Sequence, residues 1–176
     1  MQNGFLRTIY VRQRPGFRSQ GWLRAGGSQI PVALGRSGIL ANKREGDGGT
    51  PRGRFRLVRL WWRPDRAPLP RTRLPVRRIG RHDGWCEDPK DRRYNRPIRL
   101  PAGAPGDRLW RQDRLYDLII ELDHNTRPRV ASRGSAVFIH VAREGFKPTA
   151  GCVALSAPRL RRLLEQVGPK TRIVIQ

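Results

Sequence analysis

Apolar and polar residues alternate along much of this 176-residue chain, and the runs are short. Phe5-Leu-Arg-Thr-Ile-Tyr-Val-Arg12 reads as a β-strand, and Gly21–Ala25 and Gln29–Leu34 follow as short strands with Gly26-Gly27 as the turn between them. Gly35-Arg-Ser-Gly38 closes this antiparallel meander. Phe55 to Trp62 alternates as a fourth strand, and a segment from Trp110 through Leu115 to Leu122 reads as a buried one. Gly134-Ser135 opens a strand that runs through Ala136-Val-Phe-Ile139 into His140. Period 3.6 replaces period 2 only after Cys152. Leu160, Leu163, Leu164 and Val167 share one face, Ser156 is placed to cap the start, Pro158 fits the first turn, and Gly168-Pro169 is expected to end the helix. Lys170 to Ile175 forms a last strand. About eight strands to one helix predicts a mainly β fold, and neither a repeat nor a composition break divides residues 1–176, so a single domain is expected.

Between the strands lie irregular stretches rich in glycine and proline. Asn42 to Phe55 contains Gly46-Asp47-Gly48-Gly49-Thr50-Pro51-Arg-Gly53, a loop rather than a regular element. It is not a phosphate loop, because Lys43 precedes the glycines and no Gly-Lys-Ser/Thr ends it. Pro64 to Pro75 carries four prolines and is expected to be extended, either as a stiff surface loop or as a rigid wall over a cleft. Gly84 to Pro97 mixes aromatic and polar residues, and Asp123-His124-Asn125 forms a turn.

Charge changes the picture. Lys and Arg total 37 against 14 Asp and Glu, a net +23, and only four of the 37 are lysines. Such a field attracts nucleic acid, anionic membranes or acidic wall polymers. The arginines are scattered, which equally suits a solvated surface, and no recognisable nucleic-acid motif accompanies them. No apolar run approaches the roughly 18 residues of a spanning helix, so no transmembrane segment is expected. Met1-Gln-Asn-Gly-Phe-Leu-Arg7 lacks the apolar core of a secretory signal. This leaves a cytoplasmic protein, a mature form without its leader, or an export route not visible here. Two cysteines, Cys86 and Cys152, make no disulfide framework, and bridging them would block the candidate nucleophile.

The candidate chemistry lies between His140 and Cys152. A thiol attacks as its thiolate and needs a base beside it. Taken singly, Cys152 reads as a small buried hydrophobe and His140 as a satisfied core histidine. Together, on a strand end and a Thr149-Ala150-Gly151 turn, they read as nucleophile and base. Glu144 or the backbone carbonyl of Val141 is the candidate to orient the imidazole. The N–H groups of Gly151 and Cys152 are the candidates for an oxyanion hole. Arg143 suits carboxylates of the substrate. Tyr94, Asn95, His124 and Asn125 are candidate polar lining, and Trp85 either stacks on sugar or fills the core.

These residues carry a resemblance. Ile139-His140 with Thr149-Ala-Gly151-Cys152-Val153-Ala-Leu155 resembles the signature of the L,D-transpeptidase (YkuD-like) catalytic domain. Glu45-Gly-Asp-Gly48 with Thr50-Pro51, Gly53 and Phe55 resembles a further block of a short branch of that family. So do Trp85-Cys-Glu-Asp88-Pro89 with Tyr94-Asn95, and Gly134 to His140. The likeness covers roughly residues 30 to 176. It implies a β-sandwich or barrel of mixed strands with one clear helix after the catalytic cysteine. It implies a Cys152–His140 pair oriented by the Val141 carbonyl, with Thr149 at the substrate and no metal or other cofactor. The implied partners are peptidoglycan stem peptides and glycan strands, met by a monomer in the periplasm, with no nucleic acid. The implied reaction passes an acyl group through a thioester to the side-chain amine of diaminopimelate, giving 3,3- or 1,3-crosslinks. Water as acceptor makes the same site an L,D-carboxypeptidase or endopeptidase. A basic binding protein without catalysis is the alternative outside enzymology. Many family members carry a second histidine two residues before the cysteine, and Ala150 stands there in this chain.

Overall fold

A computed structural model gives the fold and describes residues 4–101 and 103–176. Met1–Asn3, part of the stretch read above for a signal, and Ala102 lie outside the described residues. In chain order the strands are β1 (Thr8–Arg14), β2 (Phe17–Ala25), β3 (Ser28–Ala33), β4 (Ile39–Leu40), β5 (Thr50–Pro51), β6 (Gly53–Trp62), β7 (Val76–Arg78), β8 (Asp83–Trp85), β9 (Pro97–Arg99), β10 (Asp107–Arg108), β11 (Leu118–Leu122), β12 (Phe138–Val141), β13 (Val153–Leu155) and β14 (Arg172–Ile175). The helix α1 (Ala157–Gln166) lies between the last two.

The main sheet runs β11-β12-β13-β3-β2-β1-β14-β6-β7, and β11 also pairs with β6. That extra pairing closes eight strands into a barrel of mixed direction, with β7 attached outside the ring. Closure falls on β6 because it is long enough for two neighbours. Gly53–Arg56 pairs with β14, and Leu57–Trp62 pairs with β11.

Alternation builds two cores. Ile9, Val11, Leu23, Leu60, Ile120, Ile139 and Ile173 point into one with the Leu160, Leu163 and Leu164 face of α1. The opposite face of β6, β11 and β12 carries Trp61, Ile119 and Phe138, which meet Trp85, Leu109 and Tyr116 in a second. The excursion from β7 to Tyr116 therefore covers the outside of three barrel strands, and Cys152 belongs to this second core.

Several expectations need correcting. The helix ends at Gln166 with Val167 extended, so Gly168 is no left-handed cap; its N–H donates to Thr171 Oγ1 at 2.9 Å. Ser156 precedes the helix without a side-chain cap bond. Gly134–Val137 is irregular rather than strand, because Ala136 turns to φ +51 to satisfy partners from other segments. Pro64–Pro75 does not wall the cleft. Leu74 enters the main core, Trp62 Nε1 donates to Ala67 O at 2.9 Å, and Arg161 of α1 donates to Pro68 O at 3.0 Å.

Candidate active site

Strands β12 and β13 lie parallel, with His140 opposite Ala154. This register sets Cys152, just before β13, beside Phe138 at the start of β12, with His140 two residues further along that strand. His140 Nδ1 is 2.8 Å from Val141 O. A carbonyl only accepts, so Nδ1 carries the proton and Nε2 keeps its lone pair. The Tyr116 ring meets the imidazole edge-on at 5.4 Å and fixes its plane, while Tyr116 OH donates to Asp107 Oδ2 at 2.9 Å. Glu144, in an exposed turn, takes no part in orienting the ring.

The thiol is held by main chain. Phe138 N–H donates to Cys152 Sγ at 3.4 Å, and the thiol donates to Ala136 O at 3.2 Å. Thr149 builds the turn: its Oγ1 donates to Cys152 O at 2.7 Å and accepts the Gly151 N–H at 3.1 Å. Gly151 stands at φ +145, and a Cβ there would lie 2.7 Å from Gly49 O. The glycine-rich loop thus passes directly behind the turn, and only glycine permits the approach. Lys43, buried beneath it, pairs with Asp47 at 2.6 Å, and Asp47 accepts the Gly49 N–H at 2.8 Å.

Both chemical groups reach the cleft yet are nearly dry, His140 at 5% and Cys152 at 8% exposure. Burial pushes the imidazole down to about 4, against its bond to Val141 O, with Arg111 and Arg143 adding to the fall. Burial pushes the thiol up to about 12, against the Phe138 N–H bond. The resting pair is therefore neutral thiol and neutral imidazole. No metal-holding cluster of His, Cys, Asp and Glu occurs among the described residues.

The cleft holds about 410 Å³ and has walls of opposite sign. Arg36, Arg111, Arg143 and Lys147 supply cations, and Glu87 and Asp107 supply carboxyls. Burial, then Asp107 and Glu45, raises Glu87 to about 7. Of the residues singled out from sequence, His140, Arg143, Thr149, Ala150 and Cys152 line this cleft. Trp85, Tyr94, Asn95, His124 and Asn125 do not. Asn95 Oδ1 accepts from Trp85 Nε1 at 3.0 Å and from Ala136 N at 3.2 Å, while its Nδ2 donates to the carbonyls of His124 and Asn125. Tyr94 OH donates to Glu45, and His124 Nε2 sits 3.0 Å from Arg133 O. This buried polar network supports the Ala136 carbonyl that receives the thiol. Sequence reasoning missed Asp107, Arg111 and Tyr116, which carry no local motif. Glu87 offered one signal, an acid amid aromatics just before a proline.

A model of the L,D-transpeptidase catalytic domain matches residues 12–175, nearly the whole chain. The chain belongs to the L,D-transpeptidase (YkuD) family. The mixed barrel with one helix after Cys152 agrees with that fold. No curated protein matches the chain. Membership makes this an L,D-transpeptidase-family enzyme, a family that acts on the peptidoglycan of the cell wall. No helix among the described residues is long and apolar enough to cross a membrane.

Proposed function

We propose that the 176 residues form one catalytic domain, acting as a monomer in the periplasm, that makes L,D-crosslinks between peptidoglycan stems with Cys152 as nucleophile. The observation that carries this reading is the His140 imidazole. Its Nδ1–H is committed to Val141 O, which leaves the Nε2 lone pair free, and His140 and Cys152 line the same cleft. In the acylation step Nε2 takes the thiol proton as Sγ attacks the carbonyl carbon of an L-centred residue in the donor stem. The carbonyl becomes an oxyanion. We assign the Cys152 N–H to it, since the Gly151 N–H is spent on Thr149 Oγ1. The oxyanion collapses, the C–N bond breaks, and His140 returns its proton to the departing amine. A thioester remains. The diaminopimelate amine of a second stem then attacks it, loses a proton to Nε2, and expels the thiolate, which regains that proton.

The mixed-sign cleft supports this acceptor. A diaminopimelate stem carries both carboxylates and an ammonium. Arg111, Arg143 and Lys147 complement the first, and Glu87 with Asp107 the second. Because Glu87 titrates near 7, ammonium binding should strengthen as pH rises through that value. Glu87→Gln should raise the acceptor KM about tenfold at pH 8 and flatten its pH dependence, with thioester formation kept. An unchanged acceptor KM would remove Glu87 from the acceptor site.

The deciding experiment incubates defined muropeptides with the wild type and with Cys152→Ala and reads the products by mass spectrometry. A covalent adduct on wild-type Cys152 and a new stem-to-stem bond, both missing from the variant, are expected. Fragmentation of that bond distinguishes 3,3- from 1,3-linkage, and trimmed stems without a new bond would assign the hydrolytic activity instead. An unmodified wild type would refute the nucleophile.

A further inference from the structure

All fourteen acidic residues fall between Glu45 and Glu165, whereas residues 1–44 hold eight basic ones and no acid. The fold gathers this imbalance on one surface. Across the outer face of β2, β1, β14 and β6, register sets Arg24, Tyr10, Val174 and Arg54 in one row. Arg12 lies beside Trp22 in the next, and Thr8, Arg172 and Arg56 form a third. None of the five arginines joins an ion pair among the described residues. Glu121 and Asp123 of the neighbouring strand end reach its edge beside Arg56, and the Asp123 carboxylate accepts the Arg56 backbone N–H at 2.7 Å. A coding bias toward arginine scatters cations; it does not clear the carboxylates from four adjacent strands.

Two hollows open on this face, on either side of the β1 start. One, of about 490 Å³, is lined by Arg7, Arg54, Lys170 and Arg172. The other, of about 500 Å³, is lined by Tyr10, Arg12 and Arg24. Tyr10, which lines the second hollow, is 43% exposed. In the ring of strands β1 stands directly across from β12, which carries His140.

We propose that this face docks on an anionic phospholipid bilayer, its arginines on the lipid phosphates and its Tyr10 and Trp22 rings at headgroup level. Separate headgroup-sized hollows suit discrete phosphates, whereas a polyanionic strand calls for one continuous groove. Arginines interleaved with the exposed Tyr10 and the half-buried Trp22 form the amphipathic surface that sits at a membrane interface. Docked this way, the cleft on the opposite side of the barrel faces away from the bilayer. Binding itself stands apart from the proposed reaction; only the use of that orientation rests on it.

The test is co-sedimentation with vesicles of phosphatidylglycerol in phosphatidylcholine, against phosphatidylcholine alone, across a salt series. Wild type and Cys152→Ala should both bind the anionic vesicles, bind neutral ones weakly, and release as salt rises. Each basic residue near an anionic surface contributes about fivefold, so a variant with Arg12, Arg24, Arg54, Arg56 and Arg172 all changed to Gln should lose at least about a hundredfold. Its turnover of a soluble muropeptide should be unchanged. A control with Lys90, Arg92, Arg96, Arg114 and Arg133 changed to Gln removes equal charge elsewhere and should stay within a fewfold of wild type. The pair Arg24→Gln/Arg54→Gln, expected to lose about tenfold or more, serves should the fivefold variant not fold. An unaffected face variant, an equal loss in the control, or binding to soluble polyphosphate or DNA in preference to vesicles would overturn the proposal.

Discussion

At the scale of single residues, the site is dry, and dryness has measurable consequences. Unfolded, the His140 imidazole binds its proton near 6.5; folded, only near 4. Between those values the unfolded chain holds more protons, so stability rises with pH across the window and is lost as pH falls through it. The effect is on the order of 3 kcal/mol, and His140→Gln should flatten the stability profile between pH 4 and 6.5 in chemical denaturation. The raised thiol makes a second expectation. At pH 8 iodoacetamide should modify Cys152 at least about a hundredfold more slowly than a small free thiol, with Cys152→Ala correcting for Cys86. A rate equal to the free thiol would mean a resting thiolate–imidazolium pair. Asn95 spends its side-chain amide on four bonds at φ +54, a conformation asparagine tolerates. Asn95→Ala should destabilise by about 2–4 kcal/mol in thermal or denaturant unfolding and lower acylation with it. That Cys152 and His140, the proposed nucleophile and base, share one cleft was legible because their chemistry is rare and close in sequence. Asn95 was legible only as a polar residue, and its role as a hub is set by carbonyls from residues 124–125 and an amide from Ala136 that no local pattern brings near.

At the scale of elements, alternation identified every long barrel strand, since each has one face against the main core. It gave no sign of β4, β5 or β7–β10. These are two or three residues long, too short for a period to register, and their pairing is decided by the loops that carry them. The segment expected as strand from Trp110 through Leu115 to Leu122 is strand only from Leu118, because Arg114 and Tyr116 are drawn into a turn that puts the Tyr116 ring on His140. Behind the turn that carries Cys152, the glycine-rich loop was readable as irregular but not as a backstop. Gly151→Ala should drive its Cβ onto Gly49 O and displace Cys152, cutting thioester formation at least about a hundredfold while the melting temperature falls modestly. In α1, Leu163→Ala should cost about 2–4 kcal/mol and leave the cleft chemistry intact in the folded fraction.

At the scale of the whole molecule, the mixed barrel was legible as a class, from strand count and from family resemblance, but its closure was not. Closure depends on β6 having two partners along its length, a fact of register rather than composition. The net charge was legible and its arrangement was not, because the basic face draws on strands from both ends of the chain. The ring of eight strands also keeps its two sides independent. Residues that share no neighbours contribute additively to free energy. Combining Arg24→Gln/Arg54→Gln with Cys152→Ala should therefore shift unfolding free energy by the sum of the separate shifts, within about 0.5 kcal/mol. A lineage carrying this barrel can rewrite where the enzyme is held without disturbing what it does there, one side drifting while the other stays under selection.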